Sequence, residues 1–104
     1  MSDFENVKVA REANVYFDGK VTSRTIYMAD GSRKTLGVML PGDYTFGTQA
    51  AEEMDISSGM LEVLLPDTQE WQTITGPQIF HVPANASFDV KVSEITNYCC
   101  TYID

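Results

Sequence analysis

The sequence predicts an all-β protein, a single barrel or jelly-roll domain, on three observations. Turn-forming residues recur at short intervals, at Asp18-Gly19, Asp30-Gly31, Pro41-Gly42, Ser58-Gly59, Pro66-Asp67, Gly76-Pro77 and Pro83-Ala84-Asn85. Between them lie runs of strand length rich in Val, Ile, Thr, Tyr and Phe, and strands punctuated at this spacing build sandwiches and barrels. Several of these runs are apolar on both faces at their centres, which suits a barrel or jelly roll with packed walls.

In chain order, a brief helical turn is expected near the start, where Ser2 and Glu5 have capping-box spacing. It belongs to an N-terminal extension over residues 1–13. Strands are expected over Val21–Met28, Thr35–Leu40 and Tyr44–Thr48. In the last of these Tyr44, Phe46 and Thr48 share one face, opposite Asp43, Thr45 and Gly47. Alternation continues beyond it, with Glu52, Met54 and Ile56 on one side and Glu53, Asp55 and Ser57 on the other. In Met60–Leu65, Leu61, Val63 and Leu65 oppose Met60, Glu62 and Leu64. Strands over Gln78–Val82, Ser87–Val92 and Asn97–Ile103 complete the set. No linker, repeat or low-complexity tract interrupts the chain, so residues 1–104 are expected to form one domain.

Composition narrows the function. At 104 residues, 43% of them hydrophobic and 21% charged, the chain can build one modest core. Fifteen acidic residues against seven basic give a net charge of −8. That charge opposes binding to nucleic acid and to anionic membranes, so neither partner is expected. An anionic substrate would need a locally basic pocket. No apolar run opens the sequence and none approaches the ~18 residues of a membrane span, so a cytoplasmic location is expected. Cys99 and Cys100 are adjacent, which rules out an ordinary bridge between them within one strand, and they are expected to be reduced thiols. The Asn85-Ala86-Ser87 sequon carries no weight without an export signal.

Familiar enzyme signatures are absent: there is no glycine-rich phosphate loop, dinucleotide fingerprint, CxxC or HExxH. His81 is the sole histidine, so one chain cannot build a multi-histidine metal centre. No serine lies in a recognisable nucleophile turn. What remains is the stretch FGTQAAEEMDISSG, Phe46 to Gly59. With the Pro41-Gly42 turn before it and Gly59 seven positions after Glu52, it resembles the first motif of the cupins. Phe46 and Thr48 stand where that motif has histidines. The second cupin motif reads here as Pro83-Ala84-Asn85-Ala86-Ser87-Phe88, with Phe88 in place of its last histidine. Glu52 alone survives of the usual ligands, and a lone carboxylate does not hold a transition metal, so no metal is expected.

A closer resemblance covers residues 16 to 102. YFDGKV, GVMLPGDYTFGT, AAEEMDISSGMLEVLLPD, Trp71 and IFHVP together resemble the pyrimidine/purine nucleoside phosphorylase family of small cupin proteins. The chain departs from that pattern at Pro77, preceded by Gly76, and at His81, where a smaller polar residue is usual. Both departures concern the rim of the pocket and leave the fold untouched.

The resemblance implies phosphorolysis, in which a nucleoside and phosphate give free base and pentose 1-phosphate, with broad tolerance of bases. No cofactor is implied; inorganic phosphate is the co-substrate, and a homodimer is expected because unpaired sheet edges invite association. Such a reaction needs a cation for phosphate, acceptors for sugar hydroxyls and a flat apolar surface for the base. Arg33 and Lys34 are the phosphate candidates, since guanidinium matches phosphate in bidentate geometry. Tyr44, Phe46, Phe80 and Phe88, with Thr48 and His81, are the candidate substrate contacts, although His81, alternating with apolar neighbours at a strand end, reads first as a packed or rim residue. Glu52 and Glu53 are the candidate catalytic carboxylates. A one-residue slip in register exchanges which of them faces inward, and the sequence leaves that choice open. A non-catalytic cupin that binds sugars or nucleosides is the alternative.

Overall fold

Eleven strands form among residues 3–103, the residues described by the computed structural model. They are β1 (Lys8–Val9), β2 (Asn14–Tyr16), β3 (Val21–Tyr27), β4 (Arg33–Met39), β5 (Gly42–Gly47), β6 (Ala51–Ser58), β7 (Met60–Leu64), β8 (Gln72–Thr75), β9 (Gln78–Val82), β10 (Ser87–Val92) and β11 (Thr96–Ile103). A single 3₁₀ turn, Phe17–Gly19, joins β2 to β3. The expected strands all form, with ends shifted by at most two residues. The short strands β1, β2 and β8 are additional. Lys8 and Val9 of the expected extension pair with Tyr27 and Ile26, tying that segment to the sheet. Of the expected capping box, Ser2 lies outside the described residues and Glu5 is in coil.

The strands make two antiparallel sheets, one ordered β1-β3-β4-β11-β6-β9 with β2 also on β3, the other β5-β10-β7-β8. Their inner faces meet as a jelly-roll barrel. No helix among the described residues is long and apolar enough to cross a membrane.

Burial is graded along the strands. On the inner face of β6, Ile56 is fully buried, Met54 nearly so, and Glu52 only partly. On β11 likewise, Thr96, Tyr98 and Cys100 are buried and Tyr102 is only partly so. Register aligns the two gradients, because Tyr98 pairs with Ile56, Cys100 with Met54 and Tyr102 with Glu52. Across the barrel, Leu61, Val63, Ile74 and Val90 close one end with aliphatic side chains. Phe46 and Phe88, paired on β5 and β10, stand at the other end, which is open.

A local device holds each end in shape, Thr48 at the open end and Gly59 at the closed end. Thr48, buried just after β5, donates its hydroxyl to the Pro83 carbonyl at 2.7 Å and accepts from the Ala86 amide at 3.0 Å. It thereby ties the end of β5 to the loop between β9 and β10. Gly59 turns β6 into β7 at φ 103°, where a side chain would also come within 2.6 Å of the Ile95 carbonyl oxygen. Glycine is the residue that meets both demands.

Candidate functional site

The open end contains a cavity of about 430 Å³, within the size range of small-molecule sites. Phe46 and Phe88 form one wall from β5 and β10, with ring centroids 5.5 Å apart. Glu52 and Met54 of β6 and Cys100, Tyr98 and Tyr102 of β11 form the opposite wall. Ser23 and Thr35 add hydroxyls from β3 and β4, and Tyr16 and Phe17 stand at the lip. The lining is thus aromatic on one side and carries a carboxylate with several hydroxyls on the other.

Glu52 supplies the only acidic side chain of this lining. Burial raises its pKa above the usual carboxylate range, and a hydrogen bond from the Cys100 thiol partly opposes the shift. Among the described residues no cation pairs with it. A partly desolvated carboxylate without a counter-ion is a strong acceptor for incoming hydroxyl or N–H donors. The Cys100 thiol is itself pushed up to about 12, first by burial and then by the Glu52 charge. It therefore stays protonated and is not a nucleophile. Burial likewise raises Tyr98 and Tyr102, which remain neutral hydroxyls.

A second, open recess adjoins the cavity and shares Gly47, Glu52 and Tyr102 with it. Arg33, at the start of β4, lines this recess, its guanidinium 4.2 Å from the centroid of the Tyr102 ring. Stacking on an aromatic face holds a guanidinium while leaving its N–H edge free. Among the described residues Arg33 has no carboxylate within ion-pair distance. Glu52 thus stands where an aromatic cavity meets a recess containing a guanidinium.

The remaining candidates fall elsewhere. Lys34 follows Arg33 but faces the outside of the larger sheet, where its ammonium donates to the Thr101 hydroxyl at 2.8 Å. Glu53 faces out as well, 3.3 Å from Nε2 of His81, in a pair whose side chains are 37% and 64% exposed. An exposed pair of this kind contributes little. Tyr44 is buried beneath Phe17 and donates its hydroxyl to the Leu40 carbonyl at 2.6 Å. Phe80 is buried behind Phe88, at 6.3 Å between centroids. The polar groups of Thr48 are taken up by the loop between β9 and β10. Of the named candidates, Phe46, Glu52 and Phe88 line the cavity and Arg33 the recess, whereas Lys34, Glu53, His81, Tyr44, Phe80 and Thr48 line neither. The sequence reading misses Tyr98, Cys100 and Tyr102, although their period-two spacing carries the signal. It also misses Tyr16 and Phe17.

The cupin metal positions do not fit a metal. Phe46, Thr48 and Phe88 offer no imidazole, and Glu52 has only a protonated thiol near it. Among the described residues no three His, Cys, Asp or Glu side chains gather as ligands. Zinc and its neighbours need three or four such donors.

Comparison with known proteins gives a family by sequence and a fold by structure. The family model described as pyrimidine/purine nucleoside phosphorylase matches residues 11–102. A protein of that name from Geotalea uraniireducens (strain Rf4) is 60% identical over 104 residues, covering all of both chains. A crystal structure of a protein of unknown function from Acinetobacter sp. ADP1 superposes with a TM-score of 0.95 at 38% identity, covering 97% of this chain and 98% of that one. The cupin domain of Schizosaccharomyces pombe Cnp3 is similar in fold, with a TM-score of 0.65 at 13% identity over 95% of this chain and 70% of that one.

Proposed function

The chain belongs to the pyrimidine/purine nucleoside phosphorylase family, and on that premise we propose that its open end carries out phosphorolysis of nucleosides with broad base tolerance. The observation that carries this reading is the position of Glu52, between the aromatic cavity and the recess of Arg33. In the reaction a phosphate oxygen attacks C1′ from the face opposite the base. The C1′–N bond breaks, its electron pair leaves with the base, and a proton from phosphate or solvent neutralises the departing nitrogen. The products are free base and pentose 1-phosphate.

Each group has a part suited to its surroundings. Arg33 binds phosphate through the edge left free by its stacking on Tyr102. Glu52 accepts hydrogen bonds from the pentose hydroxyls, and its charge stabilises the positive charge that develops on the ring. Phe46 and Phe88 meet the base through its face, which every base offers, so purines and pyrimidines are both accommodated. No step needs a metal, and prolonged chelation should leave the rate unchanged. The protein works in the cytoplasm on this reading, where its unbridged Cys99 and Cys100 stay reduced.

The test is base release from several nucleosides with and without phosphate. Release that requires phosphate and is matched by pentose 1-phosphate supports the reading. Release independent of phosphate would make the protein a hydrolase, and saturable binding without release would make it a binding protein.

The proposal includes a homodimer formed through the outer face of the larger sheet. Leu36 and Ile79, 39% and 49% exposed, lie in one cross-strand row with Arg24, Cys99 and Asp55. The next row carries Lys34, Thr101, Glu53 and His81. Arg24 and Lys34 thus flank the central strand β11 on one side, and Asp55 and Glu53 on the other. A two-fold axis parallel to β11 sets the basic side of one copy against the acidic side of the other. Sedimentation should give a dimer that K34E combined with R24E dissociates. A monomeric wild type, or a dimer indifferent to that double substitution, refutes this interface.

A further inference from the structure

Phe17 is a bulky residue held in a conformation that bulky residues avoid. It lies at φ 52°, followed by Asp18 at 56° and Gly19 at 89°, all in the left-handed region. Glycine adopts that region freely and aspartate tolerates it. For a phenylalanine it is an outlier that the surrounding structure must enforce. The local turn gives no reason for it: its backbone hydrogen bond, from the Lys20 amide to the Phe17 carbonyl at 3.1 Å, is indifferent to the side chain.

Burial does not explain Phe17 either, since the residue is 42% exposed. Its ring nevertheless has a defined place. It lies 4.9 Å from Tyr44 and meets Phe46 edge-on at 5.6 Å, and Phe46 in turn contacts Phe88. Phe17 is the outermost member of this aromatic series, at the lip of the cavity that contains Glu52. Strained residues and partly exposed aromatic rings both concentrate where ligands bind, and here they coincide.

We infer that Phe17 is a substrate-binding residue whose ring stacks on the nucleobase at the cavity mouth while the pentose points to Glu52. The inference rests on the nucleoside reading above and deepens it. Stacking reads the face of a base and ignores its edge, so Phe17 sets affinity for bases in general without choosing among them. It holds no proton and contacts no reacting atom.

Three variants test this, each checked for folding by circular dichroism. F17A should raise the KM for both purine and pyrimidine nucleosides about tenfold, the usual size of one lost base–aromatic stack. Its phosphate KM should stay at the wild-type value. F17W should restore nucleoside affinity, and F17L, which fills similar space without a ring, should not. A wild-type KM in F17A, or full rescue by F17L, overturns the inference. Calorimetric titration of nucleoside into phosphate-free protein makes the same comparison without turnover. If wild type releases no base, the phosphorolysis reading fails on its own, and weaker calorimetric binding by F17A than by wild type still upholds the role of Phe17. Equal binding there refutes it.

Discussion

One end of the barrel is built for stability and the other for chemistry, and the same strands supply both. On β6 the step from Ile56 to Glu52 crosses from full burial to a partly wet carboxylate. On β11 the step from Thr96 to Tyr102 does the same. The closed end is aliphatic and dry, with Leu61, Val63, Ile74 and Val90 fully buried. The open end gives up that packing for two facing phenylalanines, three tyrosines, a carboxylate and a nearby guanidinium. A jelly roll separates the two tasks along its axis, so residues four positions apart on one strand answer to different physics.

The largest expected effect of breaking this contrast lies at the closed end. I56A should lower stability by about 3 kcal/mol, from lost transfer energy and the cavity left behind. The urea midpoint measures it, and the KM values of the folded fraction should not move. A loss well under 1 kcal/mol would mean that the closed end is not the main core.

At the open end E52Q tests the electrostatic half of the contrast. The folded-state pKa of Glu52 is raised by burial, so between the unfolded and folded values the folded chain holds more proton. Stability therefore falls as pH rises through that window, and above it the full cost of the buried charge is present. E52Q should melt higher than wild type at neutral pH and lose the advantage in acid. An advantage independent of pH would remove burial of the charge as its cause.

A smaller effect is expected at the recess. R33A should raise the phosphate KM about tenfold, as losing a charge-assisted contact worth ~1.4 kcal/mol does. The nucleoside KM should change little, and an unaltered phosphate KM would remove Arg33 from the account.

Much of this division is legible in the sequence. Alternation in EEMDIS puts Glu52 with Met54 and Ile56, and the structure has that facing. The same rule, applied to Arg33 and Lys34, would have sent the neighbours to opposite faces and left one phosphate candidate. It would also have joined Tyr98, Cys100 and Tyr102 to the cavity. Other features have no such signal. β1 and β2 present the exposed Val9 and Val15 rather than an apolar face. β8 is four residues long and buries Ile74 alone. The placement of Phe17 depends on a left-handed backbone that side-chain preference argues against, and Asp18-Gly19 reads only as a turn. Thr48 and Tyr44 have the right face, but their hydroxyls are taken by loop carbonyls that only the folded chain brings near.

The central claim is that function belongs to the inward carboxylate of the open end and not to its neighbour. The most direct measurement is phosphate-dependent base release by E52Q and E53Q beside wild type. E52Q should lose about a hundredfold in kcat, the scale of one electrostatic contact to a developing charge. E53Q, which within the chain alters the exposed pair with His81 and no group of the cavity, should stay at the wild-type rate. Equal losses in both variants, or a loss confined to E53Q, would contradict the account.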